Sequence, residues 1–398
     1  MTVIPALVLL LVAGAAQAVP ISSVGSGLWT NPASWSPAQV PGSADDVTIV
    51  AGHTNTISTN VTIDIASLTI QTNGVLTHLA NGTTAQGERY KVVLTVAGNL
   101  TIDAGGQVNV DGRGYSAGNG PGAPIGGVAA AGSYGGRGGR EGVAYSGPTY
   151  GSITMPTNLG SGGRDQPGGG AVRLIVSGTT TVNGVISAGG GEGNFHVGSG
   201  GSVFLTTGVL TGNGTVRANG ASLNSSGGGG RVAVSLTNST DFGAVGIRAY
   251  GGNTTSKGAA GTVYMQTPSQ GPGRGTLVID ANNIVSADAS FNTLISSQVT
   301  DTVVGTVVIT NKAILAINTN QSLTVNGSWL NGTNTLFIAN TDSTVILAGT
   351  NPATITGHNT YHNLVCTNAD KILRFEDGKT NTVNGTLTLA DVILDSIS

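Results

Sequence analysis

Four valine-centred segments recur along this chain, each led in by glycine: Gly-Gly-Ala-Val172-Arg-Leu-Ile-Val, Gly-Gly-Ser-Val203-Phe-Leu-Thr-Thr, Gly-Gly-Arg-Val232-Ala-Val-Ser-Leu and Ala-Gly-Thr-Val263-Tyr-Met-Gln-Thr. Their spacings are 31, 29 and 31 residues (203 − 172, 232 − 203 and 263 − 232). A second series keeps step with the first: Val185-Ile-Ser-Ala-Gly-Gly, Val216-Arg-Ala-Asn-Gly and Ile247-Arg-Ala-Tyr-Gly-Gly, aligned on Val185, Val216 and Ile247. A period of this length is the mark of supersecondary units that cannot bury their apolar face alone and stack to do so.

The segments between and around these repeats alternate apolar residues with Thr or Asn, as in Val61-Thr-Ile-Asp-Ile, Val92-Val-Leu-Thr-Val and Asn99-Leu-Thr-Ile. That period of two belongs to strands with one buried face. No stretch reads as an amphipathic helix of ordinary length. The Ala-Gly, Asn-Gly and Gly-Gly pairs between strands supply the positive φ that tight turns require. The fold class expected is all-β: a right-handed parallel β-helix with an N-terminal aromatic cap and a long Gly-rich loop insertion.

Composition narrows the function classes. Only 9% of residues are charged, with 16 Lys+Arg against 19 Asp+Glu, so no basic stripe tracks a nucleic-acid backbone. The 39% apolar content argues against disorder, and 65 glycines without a strict three-residue period exclude collagen. Cys366 is the single cysteine, so no intrachain disulfide forms.

The chain divides into four parts on this reading. Residues 1–18 hold an apolar run followed by Ala16-Gln17-Ala18, a small-x-small cleavage pattern of a secretory signal, which makes the mature protein secreted or cell-surface. No later stretch spans a membrane. Residues 19–91 form the cap and first coils, with Trp29 and Trp35 covering the open end of the solenoid; a sugar-stacking platform is the alternative for that pair. Residues 92–283 are the main repeat block. Val92 begins an earlier copy 80 residues before Val172 (172 − 92), which places an insertion at about 113–169. Residues 284–398 form a second repeat block whose last strand lacks a cap, so the chain reads as a fragment or stacks end to end on a neighbour.

The insertion carries the candidate ligand contacts Tyr115, Tyr134, Arg137, Arg140, Tyr145 and Tyr150, since Tyr and Arg stack on sugars and hydrogen-bond to them. The alternative is a loop folded over the flank of the solenoid with no ligand. Deleting 113–169 is expected to weaken adhesion or glycan binding and leave the rod folded. No catalytic, cofactor or metal residues are assigned. Asp103, Asn183, Asn213 and Asp280 read as equivalent turn positions, Asp45-Asp46 lacks further oxygen ligands for calcium, and His358 with His362 lacks the glutamate of a zinc-peptidase motif.

The segment from Trp29 to Ile49, with Val40-Pro41 and Asp45-Asp46-Val-Thr-Ile, resembles the opening of G8-like domains and of bacterial surface β-helix proteins. The Gly-Gly-x-Val repeats look like large secreted bacterial proteins of adhesin or autotransporter-passenger type, and the tail from Tyr361 is similar to repeats in such proteins. The resemblance implies an exported, non-catalytic, surface-associated protein whose partner is an extracellular polysaccharide or another cell surface. A polysaccharide lyase or glycoside hydrolase on the same fold is the alternative. It needs charged side chains from adjacent coils to converge in a groove.

Overall fold

The computed structural model describes residues 19–142, 146–286 and 288–397; the proposed signal segment and Tyr145 lie outside them. Among the described residues the only helices are three-residue 3-10 turns, and none is long and apolar enough to cross a membrane. The rest is strand and turn, in parallel stacks compatible with a solenoid.

The valine repeat is a register. Strand Val92–Val96 pairs in parallel with Ala171–Val182, which pairs with Ser202–Thr211, then with Arg231–Leu236 and Thr262–Gln266. Val92, Val172, Val203, Val232 and Val263 stand directly opposite one another down this stack. All five are buried, and the residues after Val172 alternate inward Leu174 and Val176 with half-exposed Arg173 and Ile175. The long strand Ala171–Val182 also receives a second stack, because its C-terminal part pairs with Leu100–Ile102.

The second series holds with a one-residue correction. Ile186, not Val185, is paired with Val216, and Val216 with Ile247, so the spacings are 30 and 31 (216 − 186 and 247 − 216). Ile186 and Val216 are fully buried, and a slip by one residue would turn both outward. Similarly, Asp103 and Asn183 follow the paired residues Ile102 and Val182 as expected. Asp280 departs from them: it ends a strand and stands opposite Thr310.

The Gly-Gly pairs of the repeat do something other than turn the chain. Positive φ among non-glycine residues falls chiefly on asparagines, including Asn73, Asn283, Asn311, Asn320 and Asn334, whereas Gly201, Gly230 and Gly261 lie outside the left-handed region. These three form a column of close backbone contacts instead. A Cβ on Gly230 would stand 2.1 Å from the Gly201 carbonyl oxygen, and one on Gly261 1.9 Å from that of Gly230. The segments 188–201, 218–230 and 249–261 are therefore sheets' neighbours without being strands, held to one another by bonds such as Gly200 N to Gly228 O (3.0 Å) and Gly229 N to Ala259 O (2.9 Å). Glycine at every layer is what lets backbones approach this closely, as it does along the axis of a triple helix.

The insertion joins this glycine layer. Gly228 N donates to Gly132 O at 3.0 Å and Gly135 N donates to Gly229 O at 3.0 Å. Deleting 113–169 would strip these partners from the repeats, so the deletion tests folding as well as binding.

After Thr262–Gln266 the chain reverses: Thr276–Asp280 pairs antiparallel with it, Val263 opposite Val278. Beyond the reversal the strands again stack in parallel. Val307 stands opposite Trp329, Leu315 opposite Phe337 and Leu323 opposite Val345, each 22 residues apart (329 − 307, 337 − 315 and 345 − 323). The shorter period reflects the loss of the glycine layer. One apolar core fills the stacked strands from Ile21 to Val263; a second extends from Leu277 to Leu373 and also takes in Ile153 of the insertion and Phe204, Ala233, Ala260 and Tyr264 of the repeats.

Candidate functional site

The insertion is anchored by two carboxylates from different parts of the chain. Glu88 Oε1 accepts from the Tyr115 hydroxyl (3.2 Å), Asn158 Nδ2 (3.2 Å) and Leu159 N (3.1 Å). Asp301, in the second block, accepts from Ser152 Oγ (2.6 Å) and Thr154 N (2.9 Å), and from Ile153 N and Thr154 Oγ1. A carboxylate is suited to this because it takes several donors at once.

Three of the tyrosines singled out in the sequence face inward. Tyr115, Tyr134 and Tyr150 are all buried. Tyr134 and Tyr150 pack ring against ring with centroids 4.6 Å apart. The Tyr134 hydroxyl is bonded to Ser202 Oγ at 2.7 Å, and the Tyr150 hydroxyl donates to Leu159 O at 2.6 Å. Burial pushes the Tyr134 hydroxyl up to about 12. Trp29 and Trp35 are likewise buried, edge to face at 4.9 Å, with Trp35 Nε1 donating to Trp29 O at 2.9 Å.

Arg137 and Arg140 have a different setting. The stretch around them doubles back, Ala130 bridging antiparallel to Arg140. Both arginines line a pocket of about 480 Å³ with Ile125, Pro148, Ser290 and Phe291. Arg140 Nη2 donates to Ser290 Oγ at 3.1 Å, and its guanidinium lies 5.5 Å from the centroid of the Phe291 ring. Asp288 approaches Arg140 at 3.9 Å. Arg137 Nη1 reaches Ser290 O at 3.5 Å, and its buried Nε has no hydrogen-bond partner among the described residues. Burial, and then the neighbouring Arg140 charge, pull the Arg137 guanidinium below its ordinary value.

The pocket is thus half legible in the sequence. Its arginines come from the flagged insertion, whereas Ser290 and Phe291 come from a segment some 150 positions away and carry no motif (290 − 140). Only their placement against the insertion marks them.

A second groove, of about 570 Å³, is lined by Asp111, Glu192, Arg217, Asn219 and glycines of the repeat. Here charges from different repeats do meet. Asp111 Oδ1 accepts from Ser187 Oγ at 2.6 Å and from Gly189 N, and Arg217 stands 3.8 Å from Asp111. The remaining polar residues raised by the sequence have separate partners. Asp45 Oδ2 accepts from Gly42 N at 2.7 Å, Asp46 Oδ1 accepts from Ser67 Oγ at 2.5 Å, and His358 Nδ1 accepts from Thr380 N at 3.1 Å. Comparison with family models, with curated proteins and with solved structures finds no match to this chain.

Proposed function

We propose that this chain is an exported, non-catalytic surface or extracellular-matrix protein, adhesin-like, whose parallel stacks are turns of a right-handed β-helix and whose flank binds glycan. Parallel strands in one sheet need crossover connections, and such connections are right-handed in nearly all proteins. The in-register valine stack supports the β-helix. The observation that carries the function is the pocket where the insertion meets Ser290 and Phe291. It combines fixed cationic donors with apolar walls, the make-up of a small-molecule site. The signal pattern at 1–18 and the G8-like opening support export and a surface location.

The test uses the full chain on a glycan array and in a cell-adhesion assay, beside Arg140→Gln. Selective signals that fall in the variant support the reading. Absence of glycan and cell binding by the unaltered chain would sink it.

A second reading, cleavage of polysaccharide, is favoured by the groove that brings Asp111, Glu192 and Arg217 together. Incubation with a polysaccharide panel decides it, new reducing or unsaturated ends being the sign of an enzyme.

A further inference from the structure

We infer that the pocket between the insertion and residues Ser290 and Phe291 takes an anionic group, the carboxylate or sulfate ester of an acidic glycan, with Arg137 as its principal ligand. This rests on the glycan-binding reading above and names the class of sugar.

Arg137 makes no ion pair among the described residues, and the residues outside them include no Asp or Glu side chain. Its contact to Ser290 O is long, and its Nε is buried without a partner. A half-buried guanidinium whose Nε is shut off from water, beside another of like charge, gains from an anion on its open side. Arg140 is already oriented by Ser290 Oγ and the Phe291 ring. Asp288 is engaged by Ser290, whose N donates to its Oδ1 at 2.7 Å, and by Arg140 at 3.9 Å from its Oδ2, and it makes no ion pair with Arg137.

The shape suits a sugar acid. A guanidinium presents paired donors that match the planar carboxylate and the sulfate oxygens. The volume, about 480 Å³, falls in the range of small-molecule sites, about 300–1,000 Å³. Ile125, 64% exposed, and Pro148 give the rim an apolar surface against which the face of a pyranose ring can lie.

The experiment is calorimetric titration of the full chain with a galacturonate tetramer, a sulfated galactose tetramer and a neutral galactose tetramer. One or both acidic sugars should bind about tenfold or more tighter than the neutral one, and weaken with salt. Arg137→Gln should remove that preference. Ile125→Glu, an exposed change that places a carboxylate at the rim, should weaken the acidic sugar and leave the melting temperature unchanged. The uronate and sulfate arms separate the two anion sources. Equal binding of acidic and neutral sugars would overturn the anion inference and leave glycan binding standing. No binding of any sugar would remove both. Acidic binding unaffected by Arg137→Gln and Ile125→Glu would place the site elsewhere and overturn the assignment.

Discussion

The Arg231 guanidinium lies 5.4 Å from the centroid of the Tyr134 ring and so fastens a repeat strand to the insertion. Arg231 is fully buried; its Nε donates to Tyr150 O at 2.9 Å and its Nη1 to Thr262 Oγ1 at 3.0 Å. One planar cation thus spans the insertion and the next strand of the stack. Lysine keeps the charge and loses the fork. Arg231→Lys should lower stability by about 2 kcal/mol or more, since hydrogen bonds to charged groups contribute about 1.5–3 kcal/mol each. An unchanged denaturation midpoint would contradict this role.

Asp301 holds the insertion through Ser152, Ile153 and Thr154. Asp301→Asn turns one acceptor oxygen into a donor facing these donors, and should destabilise the anchor by about 1–3 kcal/mol. The readout is local. Limited proteolysis should cut near Met155, which is exposed, faster than in the unaltered chain, while cleavage elsewhere is unchanged.

The glycine column makes a sharp steric prediction. Gly230→Ala places a methyl 2.1 Å from the Gly201 oxygen, a clash with backbone that cannot swing aside. A loss of about 3 kcal/mol or failure to fold is expected. Gly25→Ala, where a Cβ meets nothing within 4 Å, is the matched control and should fold normally. Equal melting temperatures for the two would refute the packing role.

His78 gives the fold an acid sensitivity. It is buried, its Nδ1 is bonded to Leu79 O at 2.7 Å, and its Nε2 accepts from Ala171 N at 3.3 Å, tying strand Val75–His78 to the strand that follows the insertion. Burial, with smaller contributions from Arg113 and Lys91 against the hydrogen bond to Leu79, brings it from 6.5 down to about 4. The unfolded chain therefore binds a proton between these values and the folded chain does not. The stabilisation is complete above pH 6.5 and is lost as pH falls toward 4, about 3 kcal/mol in all. Melting temperature should fall as pH is lowered through that window, and His78→Gln should flatten the dependence. A parallel slope in the variant would assign the acid sensitivity to other groups.

Much of the architecture is legible because it is local and periodic. The valine spacing locates the repeat, the gap between Val92 and Val172 locates the insertion, and period-two alternation marks which side chains turn inward. The second series shows the limit of spacing alone. Val185 and Ile186 are both β-branched and adjacent, so spacing admits either, and only burial selects Ile186 to stand opposite Val216. The Gly-Gly pairs show a different limit: glycine is chosen for turns and for close approach alike, and nothing in the residue says which.

The sequence by itself determined an all-β chain in parallel repeating layers, because an apolar residue at every second position and a constant interval leave few other ways to bury the same face. Tertiary structure alone decided the reversal at 266–276, the inward facing of Tyr134 and Tyr150, and the meeting of Arg137 with Ser290 and Phe291. These depend on contacts between segments far apart in the chain, where no local period operates and complementary packing selects the partner.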